Sequence, residues 1–202
     1  MPKPDAGPSS SDPLVDEVGR QSFPASDPPA WTSAGIGAPD HPEVSRATLR
    51  DLDDIVSLLQ ANEAPRGSLT GHFPRDWVES AMGSMPVIVA RLGGQLVGVL
   101  VSLTIEAVRG VPVLEQMLVA YRGEPGAYVY GPICVAQSAR GRGVARMLFE
   151  RLKGELRGRE GILFVRKDNE ASLRAHKRLA GIQIRAEFSA DGVTYVVLSY
   201  IG

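Results

Sequence analysis

The feature that most constrains the fold of this chain is a stretch from residue 128 to residue 166. In it, strand, glycine-rich turn, helix and strand patterns follow one another. The helical part has a stripe of apolar residues at helical spacing, made of Val144, Leu148, Leu152 and Leu156. The second strand is the uninterrupted apolar run ILFV. A strand that returns through a helix to another strand forms a crossover unit with parallel strands, so this stretch predicts an α/β fold.

The turn of this unit has the chemistry of an anion-binding loop. Gly141 and Gly143 remove side chains where backbone N–H groups would approach a ligand, and the dipole of the following helix favours negative charge. Arg140 and Arg142 can add charge-assisted hydrogen bonds to phosphate oxygens. A P-loop is excluded because no Gly-Lys-Ser/Thr follows, and a dinucleotide fingerprint is excluded because Arg146 replaces its third glycine. A tight turn without a ligand remains the alternative.

The rest of the chain predicts a mixed sheet with helices. Asp51 is a candidate N-cap for the first helix, and Gly93-Gly94-Gln95 predicts the turn of a hairpin. The segment 106 to 125 is left open between a helix and an extended lid. The other predicted elements are strands at 44 to 49, 127 to 135 and 162 to 165, helices at 51 to 62, 74 to 82, 143 to 157 and 169 to 180, and a final hairpin through Asp191-Gly192.

Residues 1 to 42 differ in composition from the remainder of the chain. They hold nine of the fifteen prolines, six acidic residues and two basic residues. Such a stretch buries too little apolar surface to offset the conformational entropy that its ordering would cost. We therefore predict a flexible acidic tail over residues 1 to 42 and one folded domain over residues 43 to 202. A docking peptide that uses Phe23 and Trp31 is the alternative role of the tail.

Charge and cysteine content argue against several classes of protein. The 22 Lys and Arg residues balance 23 Asp and Glu residues, so no charge excess favours nucleic acid or an anionic membrane surface. No run approaches the roughly 18 apolar residues that span a bilayer, and the first residues, MPKPDAGPSSSD, lack the apolar core of a signal peptide. We therefore predict a cytoplasmic protein. The one cysteine, Cys134, indicates neither a disulfide nor a metal site.

Two segments together resemble the Gcn5-related N-acetyltransferase (GNAT) superfamily. The family pattern Arg/Gln-x-x-Gly-x-Gly/Ala matches Arg140, Gly143 and Ala145, after a strand that ends in ICVAQSA. In the segment VRKDNEASLRAHKRLAGI, Asn169 opens the next helix and Ser172 follows three residues later, as in the family. The helix end departs from the pattern, because Ala180 stands where the family would place a glycine. The resemblance covers residues 43 to 202 and is most specific in the C-terminal 75 or so residues.

This resemblance implies the acyl-CoA N-acyltransferase fold, a mixed α/β sheet splayed into a V, in a bacterial-type enzyme that uses acetyl-CoA. Pantetheine would lie in the gap of the V along the main chain of Ile133, Cys134 and Val135, near Asn169 and Ser172. Gly131-Pro132 fits a local distortion of that strand. The pyrophosphate would lie on the turn and the start of its helix, made of Arg140, Gly141, Arg142, Gly143, Val144 and Ala145.

The resemblance also implies direct transfer of acetyl to an amine in a ternary complex, with no metal. His176 stands where many relatives carry a tyrosine that protonates the leaving thiolate, which makes it a candidate general acid. Packing alone is its alternative role. Many relatives place a glutamate base on the strand before the turn, but here that strand reads AYVYGPICV. Glu115 is a weak candidate for the base. Cys134 as a covalent relay is a more remote one.

The acceptor is expected to be an amine of a small molecule or of a protein. A second hypothesis is a non-catalytic module of the same fold that binds acyl-CoA or a partner without turnover. It is motivated by the missing strand carboxylate and by the acidic tail. The apolar closing strand VTYVVLSYI could pair or pack in a homodimer.

Overall fold

The protein is described by a computed structural model that covers residues 41–69 and 71–202. The tail predicted over residues 1 to 42 therefore lies outside the described residues, apart from its last two. Within the described part, no helix combines the length and the apolarity that crossing a membrane requires. The strands are β1 (Glu43–Arg46), β2 (Ile88–Leu92), β3 (Gln95–Thr104), β4 (Tyr128–Val135), β5 (Glu160–Arg166), β6 (Gln183–Ala190) and β7 (Val193–Ile201). The helices are α1 (Leu52–Ala61), α2 (Arg75–Ser84), α3 (Pro112–Ala120), α4 (Val144–Glu155) and α5 (Glu170–Lys177).

The seven strands form one mixed sheet in the order β1-β2-β3-β4-β5-β7-β6. The central neighbours β4 and β5 are parallel, and α4 connects them as the predicted crossover unit requires. All other neighbouring strands are antiparallel. The mixed α/β fold expected from the sequence is confirmed.

The parallel pair is joined over a short length. β4 and β5 pair only at Tyr128 with Gly161 and at Val129 with Ile162. Beyond these pairs β4 stays in register with β3, whereas β5 stays in register with β7 as far as Arg166. The two strands therefore diverge into a V. We call the space between residues 130–135 of β4 and residues 163–166 of β5 the split.

Helices cover both faces of the sheet. On one face α4 and its C-cap bury the predicted stripe of Val144, Leu148, Leu152 and Leu156, and Leu179, just beyond the end of α5, adds to the same cluster. β3 approaches α4 closely, because a Cβ atom at Gly98 would lie 2.8 Å from Val144 Cγ1. On the other face α1, α2 and α3 bury a second cluster that includes Ile55, Val78 and Met117.

Three elements are defined more closely than the sequence-based expectation allowed. The open segment 106 to 125 forms a 3-10 turn and then α3, which has Pro112 in its first turn, where a proline fits a helix. The first strand is shorter than predicted and ends at Arg46. Asp51 is the N-cap residue of α1, as predicted, but its side chain makes no capping hydrogen bond to α1, because its carboxylate accepts a hydrogen bond from Thr48 N and pairs with Arg91.

The closing strand β7 lies inside the sheet, with β5 on one side and β6 on the other. Both of its edges are therefore used, and it cannot pair with a second copy of the chain. The homodimer hypothesis is corrected on this point: pairing through β7 is ruled out, and packing remains open to it.

Candidate functional site

The wall of the split on the β4 side contains a bulge. Leu100 of β3 pairs with Ile133 of β4. The next pair, Ser102 with Tyr130, leaves two residues of β4 opposite one residue of β3. Those two residues are Gly131–Pro132, where the sequence predicted a distortion, and Gly131 has a φ of 114°. The bulge bends β4 where it leaves β5 and so helps to open the split.

Beyond the bulge, one edge of β4 remains available. Residues 133 to 135 pair with β3 on one side and face the split on the other, where β5 has already diverged. An extended ligand could add to this edge as another strand would. This is the main-chain segment that the sequence analysis assigned to pantetheine.

The glycine-rich turn follows the free end of β4 after one 3-10 turn, Gln137–Ala139. Gly141 has a φ of 78° and Gly143, the N-cap of α4, has a φ of 75°, a conformation that side chains disfavour. A Cβ atom at either glycine would meet nothing within 4 Å, so the space above the turn is open. No side chain caps α4, which leaves the N–H groups of its first turn for an anion. The geometry fits a pyrophosphate.

Arg140 links this turn to two other elements. Its Nε donates to Val135 O at 3.2 Å, and its Nη2 donates to Asn62 Oδ1 at 3.1 Å. Asn62 follows the last residue of α1 and donates its own amide to Leu58 O at 2.9 Å. The guanidinium therefore braces the turn against β4 and α1. Arg142 is exposed on the same turn.

The second predicted segment forms the start of α5. Asn169 is the N-cap, and its Oδ1 accepts a hydrogen bond from Ser172 N at 3.0 Å. His176 lies one turn later, with Nδ1 2.8 Å from Ser172 O and 3.3 Å from Ser172 Oγ. A carbonyl oxygen can only accept, so Nδ1 is the protonated nitrogen in this pair. Nε2 then carries a lone pair whenever the imidazole is neutral.

His176 lies against the residue of β4 at which the split begins. The ring of Tyr130 stands edge-on to the imidazole with centroids 5.8 Å apart. His176 is 7% exposed, and its burial lowers the pKa of the imidazole, although the bond to the Ser172 carbonyl offsets part of this effect. The imidazole is therefore mainly neutral at neutral pH. The Tyr130 hydroxyl is buried without a hydrogen-bond partner among the described residues, and burial raises its pKa.

The other candidates from the sequence lie apart from His176. Glu115 is exposed in the first turn of α3, and its Oε1 accepts a hydrogen bond from Gly110 N at 2.8 Å. α3 packs on the face of the sheet opposite α5, so the structure does not bring Glu115 and His176 together. Cys134 is buried near Leu58 O at 3.8 Å, and burial raises the pKa of its thiol to about 11. A thiol of this kind is a poor nucleophile at neutral pH.

The structure adds an aromatic cluster that the sequence analysis did not identify. The rings of Phe188 and Tyr195 stack with centroids 5.0 Å apart, and Phe164 stands edge-on to Tyr195 at 5.1 Å. Phe164 and Phe188 are 5.9 Å apart. A signal was present, because Phe188 and Tyr195 lie three residues from either side of the predicted turn at 191 and 192 and so face each other across the hairpin.

Two cavities differ in their relation to the split. One of about 500 Å³ lies beyond the end of β5 and is lined by Arg166, Lys167, Asp168 and the turn residues 192 to 194. The other, of about 380 Å³, lies at the opposite end of the sheet, where β4 and β5 begin. Within residues 41–69 and 71–202, no group of three or more His, Cys, Asp or Glu side chains could hold a metal ion.

Comparison with known structures shows the same fold. The ribosomal-protein-S18-alanine N-acetyltransferase of Escherichia coli is 16% identical, with a TM-score of 0.59 over 79% of this chain and 93% of that chain. The Salmonella typhimurium protein yncA, solved with its cofactor acetyl-CoA, is 17% identical, with a TM-score of 0.60 over 80% and 94%. Arabidopsis thaliana Naa50, solved with the bisubstrate analogue CoA-Ac-MVNAL, is 14% identical, with a TM-score of 0.56 over 80% and 99%.

The sequence comparison identifies the family. No curated protein matches the chain significantly. The model of the Acetyltransferase (GNAT) family matches residues 52–182, a range that runs from the start of α1 past the end of α5. It thus includes both walls of the split, the glycine-rich turn and His176. The chain belongs to the GNAT family of acetyltransferases.

Proposed function

We propose that the protein transfers the acetyl group of acetyl-CoA to an amine by direct attack in a ternary complex. One observation carries this proposal. The strand whose edge is freed by the split, β4, leads through one 3-10 turn (Gln137–Ala139) into the open turn with two left-handed glycines at the start of α4. A thioester held along the strand edge and a pyrophosphate held on the turn are thereby within one continuous site.

The coenzyme would be held mainly by backbone groups. The turn would bind pyrophosphate through the first N–H groups of α4 and through Arg140 and Arg142. The main chain of Ile133, Cys134 and Val135 would align pantetheine. Asn169 and Ser172 would act indirectly, because Asn169 fixes the start of α5 and Ser172 O fixes the ring of His176.

The chemistry that acetyl-CoA supplies is an activated acetyl thioester. The amine nitrogen forms the new C–N bond, the C–S bond breaks, and its electron pair remains on sulfur. The proton that nitrogen loses must reach sulfur. We assign that transfer to Nε2 of His176, which is unprotonated at rest, takes up the proton and releases it to the departing thiolate. His176, the general acid predicted from the sequence, therefore receives its proton during the reaction.

Glu115 remains the weaker candidate for a base. Its carboxylate would have to leave Gly110 N to reach an amine. The acceptor class is an amine of a small molecule or a protein, as in relatives such as the S18-alanine N-acetyltransferase. We expect Glu115→Gln to change the rate of transfer by less than about twofold, whereas His176→Gln should lower it by about 100-fold.

The test combines binding with turnover. Titration calorimetry with acetyl-CoA and with CoA should give saturable binding, and a panel of amines should give thiol release that depends on the amine. The second candidate function, an acyl-CoA-binding module without turnover, is favoured by the lack of a carboxylate on β4. Tight binding with no amine-dependent thiol release from pH 6 to pH 9 would establish that module and reject the enzyme.

A further inference from the structure

Phe164, Phe188 and Tyr195, which we call the aromatic patch, lie beside the open end of the split. Pairing of β4 with β5 ends at Ile162, and Phe164 is two residues further along β5 on the same face. Phe188 and Tyr195 extend the patch across β6 and β7. Phe164 and Phe188 join the cluster on the face that carries α1, α2 and α3, opposite α4 and its coenzyme turn. The patch therefore borders the split on the side away from the pyrophosphate turn.

The patch is not closed over by the helices. Phe164 and Phe188 remain partly exposed, while Tyr195 is 8% exposed. Other half-buried apolar side chains pack on the same cluster from α2 and the loop before it, among them Phe73 and Trp77, whose rings are 5.1 Å apart. Partly exposed rings beside a cleft are typical of a site that receives an apolar ligand.

Three acidic groups around this face are already engaged. Glu63 accepts hydrogen bonds from Phe73 N at 2.9 Å and pairs with His72. Asp168 pairs with Arg166 at 2.6 Å. Glu115, on α3, is bonded to Gly110 N. No carboxylate lies on β4. Each of these three carboxylates, Glu63, Asp168 and Glu115, is held by a partner, so none of the three is positioned as the acceptor for the proton of an incoming ammonium group.

From these two observations we infer that the acceptor is an aromatic primary amine, whose ring packs on the aromatic patch and whose nitrogen is uncharged at neutral pH. This inference rests on the proposed function. An alkyl amine, with a pKa of about 10.4, is almost entirely protonated at pH 7 and would need a base before it could attack. An aromatic amine needs none. Its ring would stack on Phe164 and Phe188 as aromatic side chains stack on each other. His176 handles only the proton released during transfer.

The experiment compares amines of similar size. With the full chain and saturating acetyl-CoA, we would measure kcat/KM for 4-methylaniline and for cyclohexylamine from pH 6 to pH 9. We expect 4-methylaniline to be preferred at pH 7 by about 100-fold or more, and we expect the rate with cyclohexylamine to rise about tenfold per pH unit because its neutral fraction does. A preference for cyclohexylamine at pH 7 overturns the inference and leaves the acetyltransferase proposal intact. Failure of both amines and of the wider amine panel overturns the proposed function instead.

Variants locate the ring of the acceptor. Phe188→Leu should raise KM for 4-methylaniline about tenfold with little change in kcat, and Phe188→Tyr should keep the wild-type value because the ring remains. Ile184→Ala is the matched control, since Ile184 is exposed on the same strand opposite Leu198, which faces the other cluster. The affinity for acetyl-CoA should be unchanged in all three. If Phe188→Leu and Ile184→Ala behave alike, the patch only packs the hairpin, and the inference fails.

Discussion

The two ends of the β4–β5 pair differ in how completely their polar groups are hydrogen-bonded and their side chains are packed. At the joined end, the hydroxyls of Tyr128 and Tyr200 lie 2.6 Å apart, and a Cβ atom at Gly161 would lie 2.6 Å from the Tyr200 ring. The buried carboxylate of Glu160 accepts from Tyr121 OH at 2.9 Å and from Glu124 N at 2.8 Å. The open end has a free strand edge, a helix without a side-chain cap and two partly exposed rings instead. Residues at the joined end should therefore set stability, and residues at the open end should set binding and rate.

The largest expected effect is at the joined end. Glu160→Gln should lower the free energy of unfolding by about 3 kcal/mol. The variant puts a neutral amide in the buried position, so the surrounding hydrogen-bond donors and Arg185 lose the negative charge with which they interact. Chemical denaturation at pH 7 measures this loss. The affinity of the folded variant for acetyl-CoA should equal that of the wild type. An affinity loss of tenfold or more would break the distinction between the two ends.

The same variant has a defined pH dependence. Burial alone would raise the pKa of Glu160, but hydrogen bonds from Ser199, Glu124 N and Tyr121 hold it below the ordinary value of 4.5. A lowered carboxyl pKa stabilises the folded state above about pH 4.5, and this contribution is lost as the pH falls through the folded-state pKa. The stability difference between wild type and Glu160→Gln should accordingly shrink below pH 4.5. A difference that grows on acidification would contradict the assigned network.

The next largest effect is at the open end. Gly143→Val should weaken acetyl-CoA binding by roughly 100-fold, because a branched side chain disfavours the left-handed backbone and enters the space above the turn. Titration calorimetry measures it. Gly158→Val is the matched control, since Gly158 also has a φ of 75° with open space around it, beyond the end of α4. Both variants should lose about 1–2 kcal/mol of stability, but only Gly143→Val should lose affinity.

A smaller effect is expected where α1 braces the turn. Asn62→Ala removes the oxygen to which Arg140 donates, which should weaken acetyl-CoA binding by about three- to fivefold through a less ordered turn. The dissociation constant from calorimetry tests this. Ser57→Ala on the same helix should leave the affinity unchanged, because Ser57 is exposed and bonds only to Asp53 O. Equal affinities for Asn62→Ala and the wild type would mean that the brace has no role in binding.

The smallest predicted effect is the shift in the titration of His176. Its burial should place the titration midpoint of the imidazole, measured by NMR with His176→Gln to assign the signal, below the ordinary value of 6.5. The unfolded chain then binds this proton at a higher pH than the folded chain does. The free energy of unfolding therefore decreases as the pH falls below 6.5. That pH dependence should be absent from His176→Gln. A midpoint above neutral pH would instead indicate that His176 is an imidazolium at rest and is already protonated as a general acid before the reaction.

The sequence predicted the donor side of the site better than the acceptor side. The turn from Arg140 to Ala145 is recognisable because its backbone requires glycine at two left-handed positions, and Asn169 is recognisable because it caps a helix. Such requirements act over a few residues and leave a local pattern. The bulge at Gly131–Pro132 was predicted for the same reason.

Features that depend on distant pairings could not be predicted in this way. Asn62 and Arg140 are 78 residues apart, and nothing local to either indicates their contact. To predict the aromatic patch, one must know that β7, and not β6, lies next to β5. This neighbour relation brings Phe164 beside Tyr195. α3 remained ambiguous because it is short, with nine residues, and apolar on most of its surface.

The buried position of Cys134 has a practical consequence for work on this protein. It is the one cysteine of the chain, 5% exposed, with a thiol pKa of about 11. Thiol-specific reagents such as maleimides react with accessible thiolates, so they should leave the folded protein unlabelled. Colorimetric counting of released CoA then has almost no background from the enzyme. A cysteine introduced beside the split could carry a fluorophore without removing the native one.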